Sequence, residues 1–177
     1  VGKQEASLND LQDLFDYNPV TGVLRWKVNR SNVKAGTVVT CQDGKGYLLV
    51  TINKRMHKAH RVAWMLHHQS CIPPNILIDH VNGVKDDNRA INLRLATKQQ
   101  NSANLRGCNR SNKTSEIRGV CWYRNYNKWR SYVRYNGKMI TIGYFATKEE
   151  AARAVEVKRL ELFGDFAGRS QSTVEED

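Results

Sequence analysis

Residues 78–104, IDHVNGVKDDNRAINLRLATKQQNSAN, decide how the rest of the chain is read. Ile76 to Asp79 is a short strand candidate, Val81 to Asn88 is rich in turn residues, Leu93 to Ala96 is a second strand, and Thr97 to about Leu105 is a polar helix. Asp79 and His80 are adjacent, Asn92 lies twelve residues beyond His80, and Asn101 nine beyond Asn92. If the first two end a strand and Asn101 sits on the helix, a hairpin and helix close Asp79 and Asn101 around one cation. Oxygen donors of this kind suit Mg2+ or Mn2+ better than Zn2+. An imidazole beside such an ion has an ordinary pKa near 6.5 and can take a proton from water. A packed core has little use for this polar trio. Asp86 and Asp87, beside Asn88 and Arg89, read as turn-fixing residues instead.

Upstream, Ser7 to Phe15 has the stripe of a short helix. The turn signals Asn18-Pro19 and Thr21-Gly22 precede strand candidates at Val23 to Val28, Thr37 to Thr40 and Tyr47 to Ile52. A helix from His60 to His68 follows and stops before Pro73-Pro74. Downstream, LRGCNRSNKTS is the best boundary in the chain. Its Arg106 and Arg110 are placed to lie along a phosphate backbone, although a solvated tether leaves the same trace. Three strands then follow, Gly119 to Tyr123, Trp129 to Tyr135 and Lys138 to Tyr144, the last two joined by an Asn136-Gly137 hairpin turn. Thr147 and Glu150 form a capping box for a helix that turns Ala151, Ala152, Val155 and Leu162 inward, with Gly164 as its stop.

The 177 residues hold 28 Lys and Arg against 17 Asp and Glu, a net charge of +11, which favours a polyanionic partner. Apolar residues at 40% and charged residues at 25% argue against a wholly disordered chain. No apolar run is long enough for a membrane helix and the opening VGKQEASLND lacks a signal-peptide stretch, so residence in the cytoplasm is expected, that of a host if the source is a phage. The four cysteines form no CxxC pair and propose neither a zinc site nor a disulfide framework. From Lys98 to Lys138 there are ten basic residues, one acidic residue, Glu116, and six interleaved Trp and Tyr. That mixture suits nucleic acid, although a packed aromatic core under a basic face would read the same way.

The segment with DH, NG, DNR and NLR resembles the catalytic motif of HNH nucleases, the ββα-metal class, and in particular the phage and intron-encoded homing subgroup. The resemblance implies that Asp79 and Asn101 are metal ligands, that His80 is the general base, and that Asn92 holds the loop and orients the histidine. His60, in AHRVAW, resembles a signature that precedes the motif in phage members and implies a contact to the scissile phosphate; a structural helix-start residue is the other reading. The implied reaction is metal-assisted hydrolysis of DNA phosphodiesters by water.

The stretch from Arg118 to Ala167 resembles the plant APETALA/ethylene-response-factor DNA-binding domain, through Arg118-Gly119-Val120, Lys128-Trp129, Ile142-Gly143, Phe145 and EEAARA. It implies a sheet that enters the major groove with Arg118, Arg130, Tyr132 and Arg134 on the DNA face and Tyr123 beside them. Cys121, Tyr123, Met139 and Thr141 depart from the plant pattern, so the plant target sequence does not transfer. The expectation is an α+β protein. Residues 1–105 form a nuclease domain on a β-rich scaffold, 106–115 a basic linker, 116–168 a three-stranded antiparallel sheet packed on one helix, and 169–177 a C-terminal tail that ends in the frayed acidic Glu175, Glu176 and Asp177. It is expected to act on double-stranded DNA as a monomer or homodimer with one Mg2+ or Mn2+ per centre, and with no membrane or small-molecule cofactor. A DNA-binding regulator with a decayed motif, and a nuclease for RNA or structured DNA, are the alternatives.

Overall fold

The computed structural model describes residues 6–30, 32–105, 107, 108, 112 and 114–168. Its elements in chain order are α1 (Leu8–Leu14), β1 (Phe15–Tyr17), β2 (Leu24–Trp26), β3 (Leu49–Ile52), β4 (Arg55–Lys58), α2 (Ala59–His68), β5 (Leu77–His80), β6 (Leu93–Ala96), α3 (Lys98–Asn104), β7 (Val120–Tyr123), β8 (Lys128–Tyr135), β9 (Lys138–Phe145) and α4 (Lys148–Phe163). The class is α+β. Among the described residues no helix is long and apolar enough to cross a membrane.

The chain divides into two compact units between Ala96 and Thr97, which leaves α3 with the C-terminal unit. The N-terminal unit holds three antiparallel strand pairs, β1 with β2, β3 with β4, and β5 with β6. Leu11, Phe15, Leu24, Trp26, Val50 and Ile52 pack with Val62, Ala63 and Met65 of α2 and with Ile78 and Leu93 of the last pair. Ser7 opens α1 through a capping box with Asp10, and Phe15, expected to close that helix, begins β1 instead. Thr37 to Thr40 is no strand: an isolated bridge, Arg25 to Val38, is what remains of it. The strand β4 was not expected. Asn53 and Lys54 adopt positive φ, 49° and 62°, so the chain turns back sharply and pairs Ile52 with Arg55.

The C-terminal unit forms the sheet β7-β8-β9, antiparallel throughout, with a register shift at Ser131/Tyr132. Ala151, Ala152 and Val155 of α4 pack on Val120 and Ile117, with Trp129, Ile142 and Phe145 against them. Both expected helix starts are capped as boxes, Thr147 with Glu150 and Thr97 with Gln100. On α4 the inward stripe ends in Arg159, which is buried, while the expected Leu162 is half-buried. Entry into β7 is held by Asn112, whose Nδ2 donates to Ile117 O and Val120 O, both at 2.8 Å, and by Ser115 Oγ, which donates to Val120 O at 2.6 Å.

Gly119 lies at φ +79°, and a Cβ there would stand 2.5 Å from Tyr132 O. Its own carbonyl accepts from Tyr132 N at 2.8 Å. Gly119→Ala is therefore expected to destabilise the protein by about 1–3 kcal/mol through strain and overpacking. A denaturant titration showing an unmoved midpoint would contradict this packing.

Candidate active site and nucleic-acid interface

In the β5-β6 pair Asp79 faces Arg94 and His80 faces Leu93. Asp79 is 4% exposed, and its Oδ2 accepts from Arg94 Nε at 2.9 Å. A buried carboxylate needs such a partner, since desolvation otherwise costs several kcal/mol. His80 is equally buried, and its Nε2 lies 3.2 Å from Asn88 Oδ1. An amide oxygen only accepts, so with Asn88 Oδ1 turned toward the ring the imidazole proton lies on Nε2 and the lone pair on Nδ1.

Asn88 is placed by the loop between the two strands. Asn92, at the end of the 3-10 turn Ala90–Asn92, closes that loop: its Oδ1 accepts from Asn82 N at 2.9 Å and its Nδ2 donates to Asp87 O at 2.7 Å. Asp87 accepts from Asn82 Nδ2 at 2.7 Å and takes a two-toothed ion pair from Arg89, at 2.8 and 2.6 Å. Tyr17 Oη donates to Asn88 O at 2.7 Å, and burial followed by the charge of Asp87 raises that phenol to about 12, so it stays a donor. Gly22, at φ +74°, passes so close that a Cβ would stand 2.5 Å from Arg89 N and 2.7 Å from the Asn88 carbonyl carbon. The expected division of labour thus changes in one respect: Asn92 holds the loop, and Asn88 bonds the histidine.

A second imidazole stands beside the first. His60, in the first turn of α2, meets His80 edge to face at 4.9 Å, and the Tyr47 ring lies against both at 5.2 and 6.0 Å. His60 Nδ1 is buried, with no hydrogen-bond partner among the described residues. Burial first, then the neighbouring His80, Arg61 and Lys58, push the His60 imidazole down to about 3. Burial also lowers His80, opposed by the Asn88 bond and by the carboxylates of Asp79, Asp87 and Asp86. Both rings are therefore neutral at neutral pH, and His80 is able to take a proton.

Asp79 supplies carboxylate oxygen and Asn101 amide oxygen, the donor types a hard divalent cation takes. Asp79 belongs to the N-terminal unit; Asn101 is half-buried on α3, in the C-terminal unit.

On the sheet, register and alternation place Tyr123, Lys128, Arg130, Tyr132 and Arg134 on the face away from α4, with Tyr144 opposite Arg130. Arg130 lies over the rings of Tyr123 and Tyr132, at 5.3 and 5.1 Å. Tyr123, Tyr126 and Tyr144 form a three-ring cluster with centroids 4.7–5.3 Å apart. Arg134 is exposed. Arg118 is placed differently from the expectation: its guanidinium donates to the carbonyls of Ser102, Ala103 and Leu105 at the end of α3. Arg106 and Arg110, with the tail 169–177, lie outside the described residues. Sequence reading missed Asn88, Tyr47 and Tyr144; Tyr126 is one of the six aromatics interleaved with the basic residues. Asn88 had a visible signal in the DNR triplet, but its partner lies eight residues back and only the closed loop brings them together.

Hydrogen bonds from Arg89 hold the Asp87 carboxyl down to about 2. A depressed carboxyl stabilises the fold fully above the unfolded value near 3.9, and that contribution drains away as pH falls through about 2. Asp87→Asn is accordingly expected to be less stable than the parent at pH 6, with the gap closing between about pH 4 and pH 2. Urea titrations across that range test it, and a gap independent of pH would count against the Arg89 pairing.

Residues 57–103 match the family described as HNH endonuclease. The chain is 33% identical over 153 residues to an uncharacterized HNH endonuclease, L560, of Acanthamoeba polyphaga mimivirus, a match that covers 86% of this chain and 70% of the relative. It is 32% identical over 96 residues to Protein 3.8 of Escherichia phage T7, covering 54% of this chain and 77% of that protein. Among solved structures, one titled for DNA binding and cleavage by the HNH homing endonuclease I-HmuI aligns with a TM-score of 0.39 and 20% identity over 56% of each chain. With 86% of its length aligned to a 33% identical HNH endonuclease, and its Asp79-His80 hairpin inside the matched segment, the chain belongs to the HNH endonuclease family.

Proposed function

We propose that this endonuclease hydrolyses phosphodiesters in double-stranded DNA at preferred sites, in the manner of homing endonucleases, with a divalent cation, Mg2+ or Mn2+. The observation that carries the reading is the buried, neutral His80, bonded through Nε2 to Asn88 and adjacent to the Asp79 carboxylate. In this mechanism His80 Nδ1 takes a proton from the attacking water. Asn88 keeps the imidazole in the required tautomer, and Asn92 keeps Asn88 in place. Asp79 and Asn101 would hold the cation, which when bound stabilises charge on the phosphate and the leaving 3′ oxygen. His60, neutral at working pH, is the donor to a scissile-phosphate oxygen. One such centre per chain cuts one strand, so a double-strand break takes two chains or two encounters.

The C-terminal sheet is proposed as the duplex-reading module. Supporting this are its resemblance to the APETALA/ethylene-response-factor domain, the three-stranded sheet on one helix, and a face that carries Tyr123, Arg130, Tyr132 and Arg134. Arg118 is left out of the contact set because its donors are already engaged. The linker arginines Arg106 and Arg110 would follow the phosphate backbone. The viral relatives fit action in the cytoplasm of a host cell.

Mg2+-dependent cleavage of source DNA, with ends mapped on both strands, tests the proposal. His80→Ala is expected to lower kcat by about 10²–10⁴-fold while duplex affinity holds. Asn88→Ala is expected to lower kcat with an unchanged KM. Tight duplex binding without cleavage under any divalent metal would favour a regulator instead.

For the sheet, Arg130→Ala and Arg134→Ala are each expected to weaken duplex binding, and an arginine that pairs with a phosphate should reduce the salt slope by about one. Unchanged binding in both variants would move the interface elsewhere.

A further inference from the structure

We infer that Arg118 and Arg159 are positioning residues for the nuclease reaction: they clamp the C-terminal end of α3 and so hold Asn101 on that helix. The inference rests on the proposed role of Asn101 as a metal ligand. Arg118 Nη2 donates to Ser102 O, the carbonyl next after Asn101, at 2.7 Å, while its Nη1 donates to Ala103 O at 3.2 Å and to Leu105 O. Arg159 Nη2 donates to the same Ala103 O at 2.6 Å and to Gly168 O at 2.8 Å. These are carbonyls that a helix end leaves without an intrahelical partner, at the end where the peptide dipoles favour a cation.

The need for the clamp follows from the sequence of α3. KQQNSAN is seven residues long and has one apolar side chain, so neither length nor an apolar stripe holds it. The Thr97 and Gln100 capping box fastens one end and the two guanidinium groups fasten the other. Arg159 is 3% exposed, and among the described residues neither arginine forms an ion pair with a carboxylate. Two like charges are thus kept together on backbone carbonyls; burial first, then Arg118, lower Arg159 to about 10, which leaves it charged at neutral pH. Gly168 completes the arrangement, since any Cβ there would run into Asn104 O. Arg159 comes from α4 and Arg118 from the entry to β7, so the sheet-and-helix module itself supplies the clamp. In consequence the proposed DNA-reading module also holds one end of the HNH motif, and the two activities cannot be separated by cutting the chain at the linker.

The test uses the full-length chain with Arg118→Met, Arg159→Met and Asn101→Ala beside the parent. Amide exchange over residues 98–104 is expected to accelerate about tenfold in both arginine variants. The Mg2+ concentration for half-maximal cleavage should rise by about tenfold, as in Asn101→Ala, with duplex affinity unchanged. Protected α3 amides and an unmoved Mg2+ midpoint in a folded arginine variant would overturn the clamp, as would a loss of duplex binding alone in Arg118→Met. If Arg159→Met does not fold, the half-buried Arg118 decides the matter. An unmoved midpoint in Asn101→Ala withdraws its ligand role and this proposal together; a midpoint moved by Asn101→Ala and by neither arginine variant withdraws the clamp alone.

Discussion

Asp79 and His80 are neighbours on one strand and both are buried, so a carboxylate and an imidazole must find partners on opposite faces of a two-stranded hairpin. Burying the carboxylate without a partner would cost several kcal/mol, and much of the N-terminal unit is arranged around that demand. Arg94 is the residue that the antiparallel register sets opposite Asp79, so the hairpin carries its own counter-ion. The other face offers no such local solution. There the loop folds back to deliver Asn88, held by Asn92 and Asp87 from within and by Tyr17 from β1.

This division explains what could be read in the sequence. The hairpin that carries Asp79 and His80 and the helix that carries Asn101 were legible because the turn signals between them are local. Asn92 was recognisable for the same reason: it bonds the backbone of its own loop. The role of Asn88 was not, because it depends on closure of the whole loop. The strand β4 was hidden for a different reason. Arg55, Met56, His57 and Lys58 lack both alternation and β-branched residues, and their pairing follows from a turn in which Lys54, with no glycine signal, adopts positive φ.

The C-terminal unit reads more openly, since Asn136-Gly137 and the capping box at Thr147 mark its hairpin and helix directly. What remained illegible there were the arginines. A basic residue on an amphipathic helix reads as solvent-facing, yet Arg159 completes the buried stripe begun by Ala151, Ala152 and Val155. Its partners are carbonyls from α3 and from Gly168. Backbone acceptors have no sequence signature, so a buried arginine that binds them is indistinguishable beforehand from one that binds phosphate.

The net charge of +11 is therefore a poor map of where a polyanion would lie. Arg94 is spent on Asp79, Arg89 on Asp87, Arg30 on Thr51 O and the Trp26 ring, and Arg118 and Arg159 on helix carbonyls. Such groups raise the general field that draws DNA in, but part of each guanidinium is already engaged within the protein. Arg130 is of another kind. Tyr123 and Tyr132 hold its guanidinium by their ring faces, contacts that leave in-plane donors unspent. Ordering a long side chain costs conformational entropy, about 2 kcal/mol for a fully mobile arginine, and the flanking rings meet part of that cost before any ligand arrives. A preordered arginine on an open sheet face loses less on binding than a mobile one, an advantage that the tyrosine-rich face of β8 would bring to the duplex binding proposed for it.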